Sequence, residues 1–238
     1  MKPRIICHMM TSVDGKINGP YMDTDAANAV GSEYERINDF YNGDAWLCGR
    51  VTTDEIFTFY HEPELTADAP LVAAGDYIAS NDVDMYYVSA DPSGKIGWTS
   101  NSLEYENRPA AHIIEVLTKR ASNAYLDFLH RMKISYIIAG QEHLDCTQAC
   151  EKLYSLFGIK TLILSGGGYI NGSFLNEGLI DELSLLITPA TDGMSDTVTL
   201  FEKGDYLPHK TPVEFNLIDV QKTKGDGIWI RYKTKKRK

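Results

Sequence analysis

Short apolar runs alternate with segments of helical spacing along most of the chain. Residues 5–10, which are apolar apart from His8, and the apolar run at residues 45–48 predict buried strands, and residues 28–41 between them place apolar side chains on one helical face. The same alternation predicts strands at residues 85–89, 112–117, 134–139, 161–164 and 180–188, and helices at residues 121–132, 147–157 and 169–176. Strands that alternate with helices predict an α/β fold with a mostly parallel sheet and helices on both faces.

The C-terminal end departs from this alternation. Two successive strands are predicted near residues 213–220 and 228–234, with a turn at Gly225-Asp226-Gly227, so a hairpin should add an antiparallel edge to the sheet. No Pro- or Ser-rich linker and no repeat interrupts the chain, which predicts a single domain over residues 1–238. Residues 60–110 carry the weakest pattern, and they could form a lid or part of a substrate pocket.

Composition and charge narrow the classes of function. The 238 residues are 43% hydrophobic and 24% charged, as in ordinary globular proteins. The formal net charge of −10 argues against nucleic-acid binding, because neutralising phosphates needs Lys and Arg. No apolar stretch has the length of a membrane span or signal peptide, and the cysteines and histidines lack the spacing of metal ligands. We therefore expect a cytoplasmic protein with no membrane contact and no metal site.

Three adjacent glycines follow the strand predicted at residues 161–164. The segment Leu164-Ser165-Gly166-Gly167-Gly168-Tyr169 runs from that strand into the next helix. Without Cβ atoms the backbone can approach a phosphate closely, and the start of the helix adds N–H donors and a partial positive charge. The spacing is not the G-x-G-x-x-G of a Rossmann fold. The segment therefore predicts either a phosphate-binding turn or a tight strand-to-helix connection.

Another glycine stands at the end of the strand predicted at residues 45–48. Gly49 is followed by Arg50, Thr52 and Thr53. An arginine can bind a phosphate through two N–H groups, and the hydroxyls can complete its shell, although either threonine could instead be only a helix N-cap. Two phosphate-binding candidates on one sheet fit a dinucleotide phosphate, in which an arginine reads the 2′-phosphate that distinguishes NADP from NAD.

The polar loop at residues 11–20 lies at the carboxyl end of the first strand, the edge at which open α/β sheets bind ligands. Asp14 and Lys16 stand two apart with Gly15 between them. They could act as proton donor and substrate anchor beside a hydride site. They could also form an exposed ion pair in a surface turn, which would contribute little.

Taken together, these segments resemble the reductase domain of bacterial riboflavin-biosynthesis proteins, part of the dihydrofolate-reductase-like superfamily. The motifs that carry the resemblance are M-T-S-V-D-G-K-I at residues 10–17, G-R-V-T at 49–52, G-G-G at 166–168 with N-G-S-F-L at 171–175, and G-L-I-D-E-L at 178–183. They are similar to the family's S-L-D-G-K-I segment, its G-x-x-T segment, its glycine turn and its G-L-[IV]-D-E-L strand entry, in the same order.

The resemblance implies a dihydrofolate-reductase-like three-layer α/β/α fold, a homodimer and NADPH as the hydride donor. The cofactor-binding residues that it implies are Gly49, Arg50, Thr52, Thr53, Ser165, Gly166, Gly167, Gly168 and Tyr169. It places Asp14 and Lys16 near a small-molecule substrate. In the pathway enzymes that substrate is 5-amino-6-(5-phosphoribosylamino)uracil, whose ribose is reduced to a ribityl chain.

One position departs from the family pattern. The pathway enzymes usually have Glu directly before the glycines, and this chain has Ser165. Because a hydroxyl cannot replace a carboxylate that binds or polarises a substrate, two alternatives stay open. One is an NADPH-dependent reductase of the same fold that acts on a different heterocycle, carbonyl or imine, including a dihydrofolate-like compound. The other is a non-catalytic dimeric binding module.

Overall fold

The computed structural model describes residues 1–208 and 212–235. The strands found there are β1 (Arg4–Thr11), β2 (Ala45–Gly49), β3 (Tyr86–Ala90), β4 (Ser102–Leu103), β5 (Ala111–Leu117), β6 (Ser135–Ile138), β7 (Thr161–Leu164), β8 (Glu182–Ile187), β9 (Phe215–Lys222) and β10 (Ile228–Thr234). The α-helices are α1 (Asp25–Tyr41), α2 (Arg50–Thr53), α3 (Asn123–Met132), α4 (Cys146–Phe157) and α5 (Gly168–Asn176). Shorter helical turns are Pro20–Asp23, Asp54–Thr58 and Lys224–Asp226.

The fold class predicted from the sequence is confirmed. The chain is mixed α/β, with a ten-stranded, mostly parallel sheet and an antiparallel hairpin formed by β9 and β10 at its C-terminal end. Each predicted strand and helix is present, with ends shifted by up to three residues. The two-residue strand β4 was not predicted, because so short a strand leaves no periodic pattern. In the described part of the chain, no helix has both the length and the apolar character needed to cross a membrane.

The chain divides into two compact units. The first, here named the middle unit, comprises Met1–Pro3 and Asp44–Leu162, and the second, the flanking unit, comprises Arg4–Gly43 and Ile163–Lys238. The boundary falls within β7. That the whole chain acts as a single domain stays a prediction.

The middle unit holds parallel strands that are buried along their length. Its strands follow the order β4, β5, β3, β2, and β6 also pairs with β5. All residues of β3 and β5 are buried, including Ser89, His112 and Glu115, so neither strand shows the alternation of apolar and polar side chains that a half-exposed strand has. Helix α3 begins where the Ser122 hydroxyl accepts the N–H of Tyr125, and α4 ends at Gly158, which has the left-handed conformation typical of a helix C-cap.

The flanking unit combines a parallel pair of strands with the C-terminal hairpin. Strand β1 pairs with β8 in parallel, and β10 pairs with both β8 and β9 in antiparallel fashion. Helix α1 begins at Asp25 because the Thr24 side chain accepts the N–H of Ala27, and it ends at Asn42, which has a left-handed backbone. Strand β1 ends at Thr11, where the polar loop at residues 11–20 begins.

Candidate active site

Ser12 organises the polar loop that follows β1. Its hydroxyl donates to Asp14 Oδ1 at 2.6 Å and accepts the backbone N–H of Lys16 at 2.9 Å. Its own backbone N–H donates to the carbonyl of Lys16 at 2.9 Å, and the N–H of Gly15 donates to the carbonyl of Ser12 at 3.0 Å. Gly15 has a φ of +82°, a backbone conformation that favours glycine. The loop is therefore a closed turn that holds Asp14 and Lys16 in fixed positions.

Asp14 is exposed at the tip of this turn. The hydrogen bond from Ser12 lowers the pKa of its carboxyl group, and the charge of Lys16 adds a smaller effect in the same direction. At neutral pH Asp14 is therefore a carboxylate, which accepts hydrogen bonds. This state favours the orienting of a substrate over the donation of a proton.

Lys16 lies almost completely inside the flanking unit, with 8% of its surface exposed. Its Nζ donates to the carbonyl of Thr197 at 2.9 Å, and its backbone forms an antiparallel bridge with Thr199. An ammonium group has three N–H donors, so this bond leaves donors for another ligand. The long connection after β8 thus returns to the loop that follows β1.

Tyr21 lies just beyond that loop and is 1% exposed. Within the described residues its buried hydroxyl has no hydrogen-bond partner. Burial raises the pKa of Tyr21 to about 12, and the charges of Asp192 and Asp14 contribute to that rise. The hydroxyl therefore stays protonated in a region that contains two carboxylates, one of which, Asp192, accepts from Thr197 Oγ1 at 3.0 Å.

The glycine turn before α5 is packed so closely that side chains would not fit. A Cβ atom on Gly166, whose φ is +95°, would lie 2.9 Å from Met9 Cε, and one on Gly168 would overlap the carbonyl oxygen of Thr199. The peptide bond between Gly166 and Gly167 is cis. The positive φ of Gly166 and the close packing at Gly168 therefore account for two of the three glycines, and a tight strand-to-helix connection, one of the two predicted alternatives, is present.

The start of α5 offers backbone donors beside this turn. Gly167 occupies the N-cap position, and no side chain makes a capping hydrogen bond there. The N–H groups of the first helical turn therefore lack a side-chain acceptor of the kind that caps α1, α3 and α4, an arrangement suited to an anion. Tyr169 is 61% exposed beside them, and Ser165 is half-buried at the end of β7.

The segment at residues 49–53 lies in the middle unit and starts α2. Gly49 is the N-cap residue and no side chain caps the helix, so the interpretation of Thr52 or Thr53 as an N-cap is wrong. Thr53 is fully buried: its hydroxyl donates to the carbonyl of Gly49 at 3.1 Å and lies 2.7 Å from the hydroxyl of Tyr87. Thr53 therefore holds the turn together from inside, whereas Thr52 is half-buried.

Arg50 is the cation of this segment and is partly exposed. Its Nη1 donates to Asp54 Oδ2 at 3.0 Å, and the second oxygen of that carboxylate accepts from the Thr58 hydroxyl at 2.8 Å. The spacing of this pair was a signal in the sequence, because Arg and Asp four residues apart lie on the same side of a helix.

Two buried acidic residues in the middle unit were also not recognised from the sequence. Glu115, on β5, accepts a hydrogen bond from the indole N–H of Trp98, and Asp91 accepts the backbone N–H groups of Lys95 and Ile96. Burial raises the pKa of Glu115 well above its usual range, and the nearby Asp91 raises it further. Burial also raises the pKa of Asp91. A glutamate inside an apolar strand leaves no sequence pattern that distinguishes it from an exposed one.

No group of three or more His, Cys, Asp or Glu side chains within residues 1–208 and 212–235 is arranged to hold a metal ion. The four cysteines, Cys7, Cys48, Cys146 and Cys150, are all buried thiols.

Comparison with known proteins assigns the chain to a family. A family model described as the RibD C-terminal domain matches residues 3–227. The chain belongs to the RibD C-terminal domain family. This RibD C-terminal domain is 24% identical, over 211 residues, to the 2,5-diamino-6-ribosylamino-4(3H)-pyrimidinone 5′-phosphate reductase of Methanothermobacter thermautotrophicus, with 85% of each chain covered. It is 31% identical to the reductase of the same name from Aquifex aeolicus over 94 residues, which are 40% of this chain and 42% of the relative.

A solved structure shows the same fold. The crystal structure of a pyrimidine reductase-like protein from Corynebacterium diphtheriae superposes with a TM-score of 0.70 at 16% identity, covering 99% of this RibD C-terminal domain and 93% of that chain. Because the curated relatives are named as reductases, the predicted enzyme class is confirmed, and the chain is an oxidoreductase. The individual site residues stay predictions.

Proposed function

We propose that the chain is an NADPH-dependent reductase that acts on a ribosylaminopyrimidine 5′-phosphate, as its named relatives do. The observation that carries this proposal is the closed turn after β1, in which the Ser12 hydroxyl fixes both Asp14 and Lys16. Held in this way, a carboxylate and an ammonium group can orient a polar substrate without reorganising.

Each unit contains one segment that is proposed to bind a phosphate of a phosphorylated dinucleotide. The uncapped start of α5, in the flanking unit, presents N–H groups to an anion. Arg50 is the accessible cation of the other segment, at residues 49–53, and is proposed to contact the 2′-phosphate. When bound, NADPH supplies the hydride. We propose Gly49, Thr52, Thr53, Ser165, Gly167 and Tyr169 as the remaining cofactor-binding residues, with Thr53 acting through the shape of the turn.

Asp14 and Lys16 are proposed to bind and orient the substrate. Asp14, a carboxylate at neutral pH, is proposed to accept hydrogen bonds from the amino or hydroxyl groups of the substrate. Lys16, fixed by Thr197, is proposed to donate to a substrate oxygen or nitrogen and so to stabilise the charge that develops there. Both residues sit on a turn whose geometry is set before any substrate binds, which reduces the entropy lost on binding.

One feature favours a second candidate function. The residue before the glycines is Ser165, where the pathway enzymes usually have Glu. A chain that lacks this carboxylate is suited to a different heterocycle, carbonyl or imine, reduced on the same scaffold. Screening such compounds with NADPH separates the two candidates, because only the first candidate predicts that the pyrimidine phosphate is preferred.

The assembly and location of the protein are proposed from the family resemblance. We propose a homodimer, to which the exposed Leu217, Ile218 and Val220 of β9 would contribute an apolar surface. We also propose a cytoplasmic location, with which four buried thiols are consistent. Sedimentation of the purified chain tests the dimer directly.

The cofactor part of this proposal is tested by calorimetric titration of the purified chain with NADPH and, in parallel, NADH. We expect NADPH to bind, and we expect Arg50→Ala to weaken NADPH more than NADH because only NADPH carries the 2′-phosphate. Equal losses for both dinucleotides would remove Arg50 from the 2′-phosphate site. Absence of NADPH binding at millimolar concentration would contradict the proposal itself.

A further inference from the structure

Arg50, which is proposed to bind the 2′-phosphate, already forms an ion pair with Asp54. Arg50 Nη1 lies 3.0 Å from Asp54 Oδ2, one helical turn along the chain. The Arg50 side chain keeps 38% of its surface exposed, whereas the Asp54 side chain keeps 6%. A ligand can therefore reach the guanidinium, but it cannot displace the carboxylate into solvent without breaking local structure.

Asp54 is held from both of its oxygens. Thr58 Oγ1 donates to Oδ1 at 2.8 Å while Arg50 occupies Oδ2, and the backbone carbonyl of Asp54 accepts the N–H of Tyr60. Because these contacts fix the side chain and the backbone together, the carboxylate stays beside Arg50 when an anion approaches. Asp54 also restricts the orientation of the guanidinium, since one of its N–H groups is already committed.

A second acidic group acts on the same arginine. Burial raises the pKa of Asp91, and the charge of Arg50 opposes that rise while the charge of Asp54 adds to it. These effects place Arg50, Asp54 and Asp91 within electrostatic reach of one another in the middle unit. A phosphate dianion at Arg50 would therefore meet one cation and at least one fixed anion.

We propose that Asp54 is a specificity-determining positioning residue: it orients Arg50, and its charge lowers the affinity of this segment for a 2′-phosphate, so that the preference for NADPH over NADH is smaller than Arg50 alone would give. The inference rests on the proposed function, because it takes Arg50 as part of the dinucleotide site. A neutral residue at position 54 would leave the guanidinium charge fully available to the phosphate.

The test compares three substitutions that change the net charge equally with one that leaves it unchanged. Asp54→Asn removes the carboxylate beside Arg50 and keeps the shape of the side chain. Glu55→Gln removes a carboxylate one residue further along, which is exposed and accepts a hydrogen bond from Tyr60. Thr58→Val keeps the Asp54 charge and removes one of its donors, and Asp54→Ser repeats the charge change with another neutral side chain. Dissociation constants for NADPH and NADH are measured by calorimetry without substrate, after thermal unfolding has verified that each variant is folded.

We expect Asp54→Asn and Asp54→Ser to raise the ratio of NADPH to NADH affinity by about tenfold, as loss of a nearby like charge predicts. We expect Glu55→Gln and Thr58→Val to change that ratio by less than about twofold. An unchanged or smaller ratio in both Asp54 variants, with NADPH still bound, overturns the inference and leaves the proposed function standing. Failure of the unsubstituted chain to bind either dinucleotide overturns the proposed function and the inference together.

Discussion

The Ser12 hydroxyl lies 2.6 Å from Asp14 Oδ1 and donates its hydrogen to that carboxylate. The same oxygen accepts the backbone N–H of Lys16. One buried hydroxyl thus fixes both residues that we propose to face the substrate. The relationship also sets the charge state of Asp14, because this hydrogen bond is the largest cause of the lowered pKa of the carboxyl group.

Ser12→Ala should therefore raise the pKa of Asp14 towards its ordinary value. If ionised Asp14 orients the substrate, the acid limb of the kcat/KM profile moves to higher pH in this variant. The profile, together with an NMR titration of the Asp14 carboxyl group, checks this expectation. Ser12→Thr keeps the hydroxyl and serves as the control. An acid limb that stays in place in Ser12→Ala would remove Asp14 from the groups that control the rate.

Lys16→Ala should lower turnover without weakening the binding of NADPH. We expect NADPH oxidation to fall by about 100-fold, because a fixed donor at the substrate is lost, while the dissociation constant for NADPH changes by less than about twofold. Lys119→Ala, which removes an exposed lysine of the other unit, is the matched control for charge. Undiminished turnover in Lys16→Ala would contradict the role proposed for this ammonium group.

The sequence predicted the elements of the fold because most of them carry strong local signals. Short runs rich in apolar residues predicted the buried strands β3 and β5, and helical spacing predicted α3 and α4. Contacts between segments that are distant in the chain leave no such local signal and could not be predicted. The segment that contains Thr197 reaches Lys16 through a contact 181 residues apart in the chain, and nothing in its own sequence indicates that contact.

Some features of the candidate site could likewise be predicted from the local sequence, and others could not. The glycines before α5 and the Asp14–Lys16 turn were predicted as site residues because both are local signals in the sequence, and their roles stay predictions. The buried state of Thr53 and of Glu115 depends on neighbouring strands, so neither could be deduced from the residues around them. The pairing of Arg50 with Asp54 was local and within reach of sequence reasoning, since the two lie four residues apart.

Two glycine substitutions should change stability in opposite directions. A Cβ atom on Gly172, within α5, would overlap the carbonyl oxygen of Glu202, so Gly172→Ala should lower the free energy of unfolding by about 1–3 kcal/mol. A Cβ atom on Gly31, within α1, would meet nothing within 4 Å. Gly31→Ala should raise the free energy of unfolding by about 0.5–1 kcal/mol, because alanine is the better helix former. Urea unfolding measures both, and a neutral Gly172→Ala would show that the connection after β8 does not pack against α5 in this way.

Glu115 should make the stability of the protein depend on pH. Its folded-state pKa is raised by burial, so the folded chain keeps a proton that the unfolded chain releases above its ordinary pKa of about 4.5. The stability that Glu115 contributes is complete below that value and is lost as the pH rises towards the folded-state pKa, by about 1.4 kcal/mol per pH unit.

The amide in Glu115→Gln has no proton to release. The substitution should therefore remove the contribution of Glu115 to the change of the unfolding free energy with pH. Urea unfolding of both proteins between about pH 5 and about pH 8 gives the difference, in which the contributions of other groups cancel. Parallel slopes for the two proteins would mean that Glu115 is ionised in the folded chain, and that its buried environment stabilises the charge.

The most direct test of the central claim is to incubate the purified chain with NADPH and 2,5-diamino-6-ribosylamino-4(3H)-pyrimidinone 5′-phosphate. The mass of the pyrimidine and the absorbance of the reduced nicotinamide are followed together, with Lys16→Ala in parallel. We predict that the pyrimidine gains the mass of one hydride and one proton for each NADPH oxidised, and that Lys16→Ala loses this turnover while still binding NADPH. Recovery of the pyrimidine unchanged, with NADPH bound but not oxidised, would contradict the claim and direct the search to another substrate of the same fold.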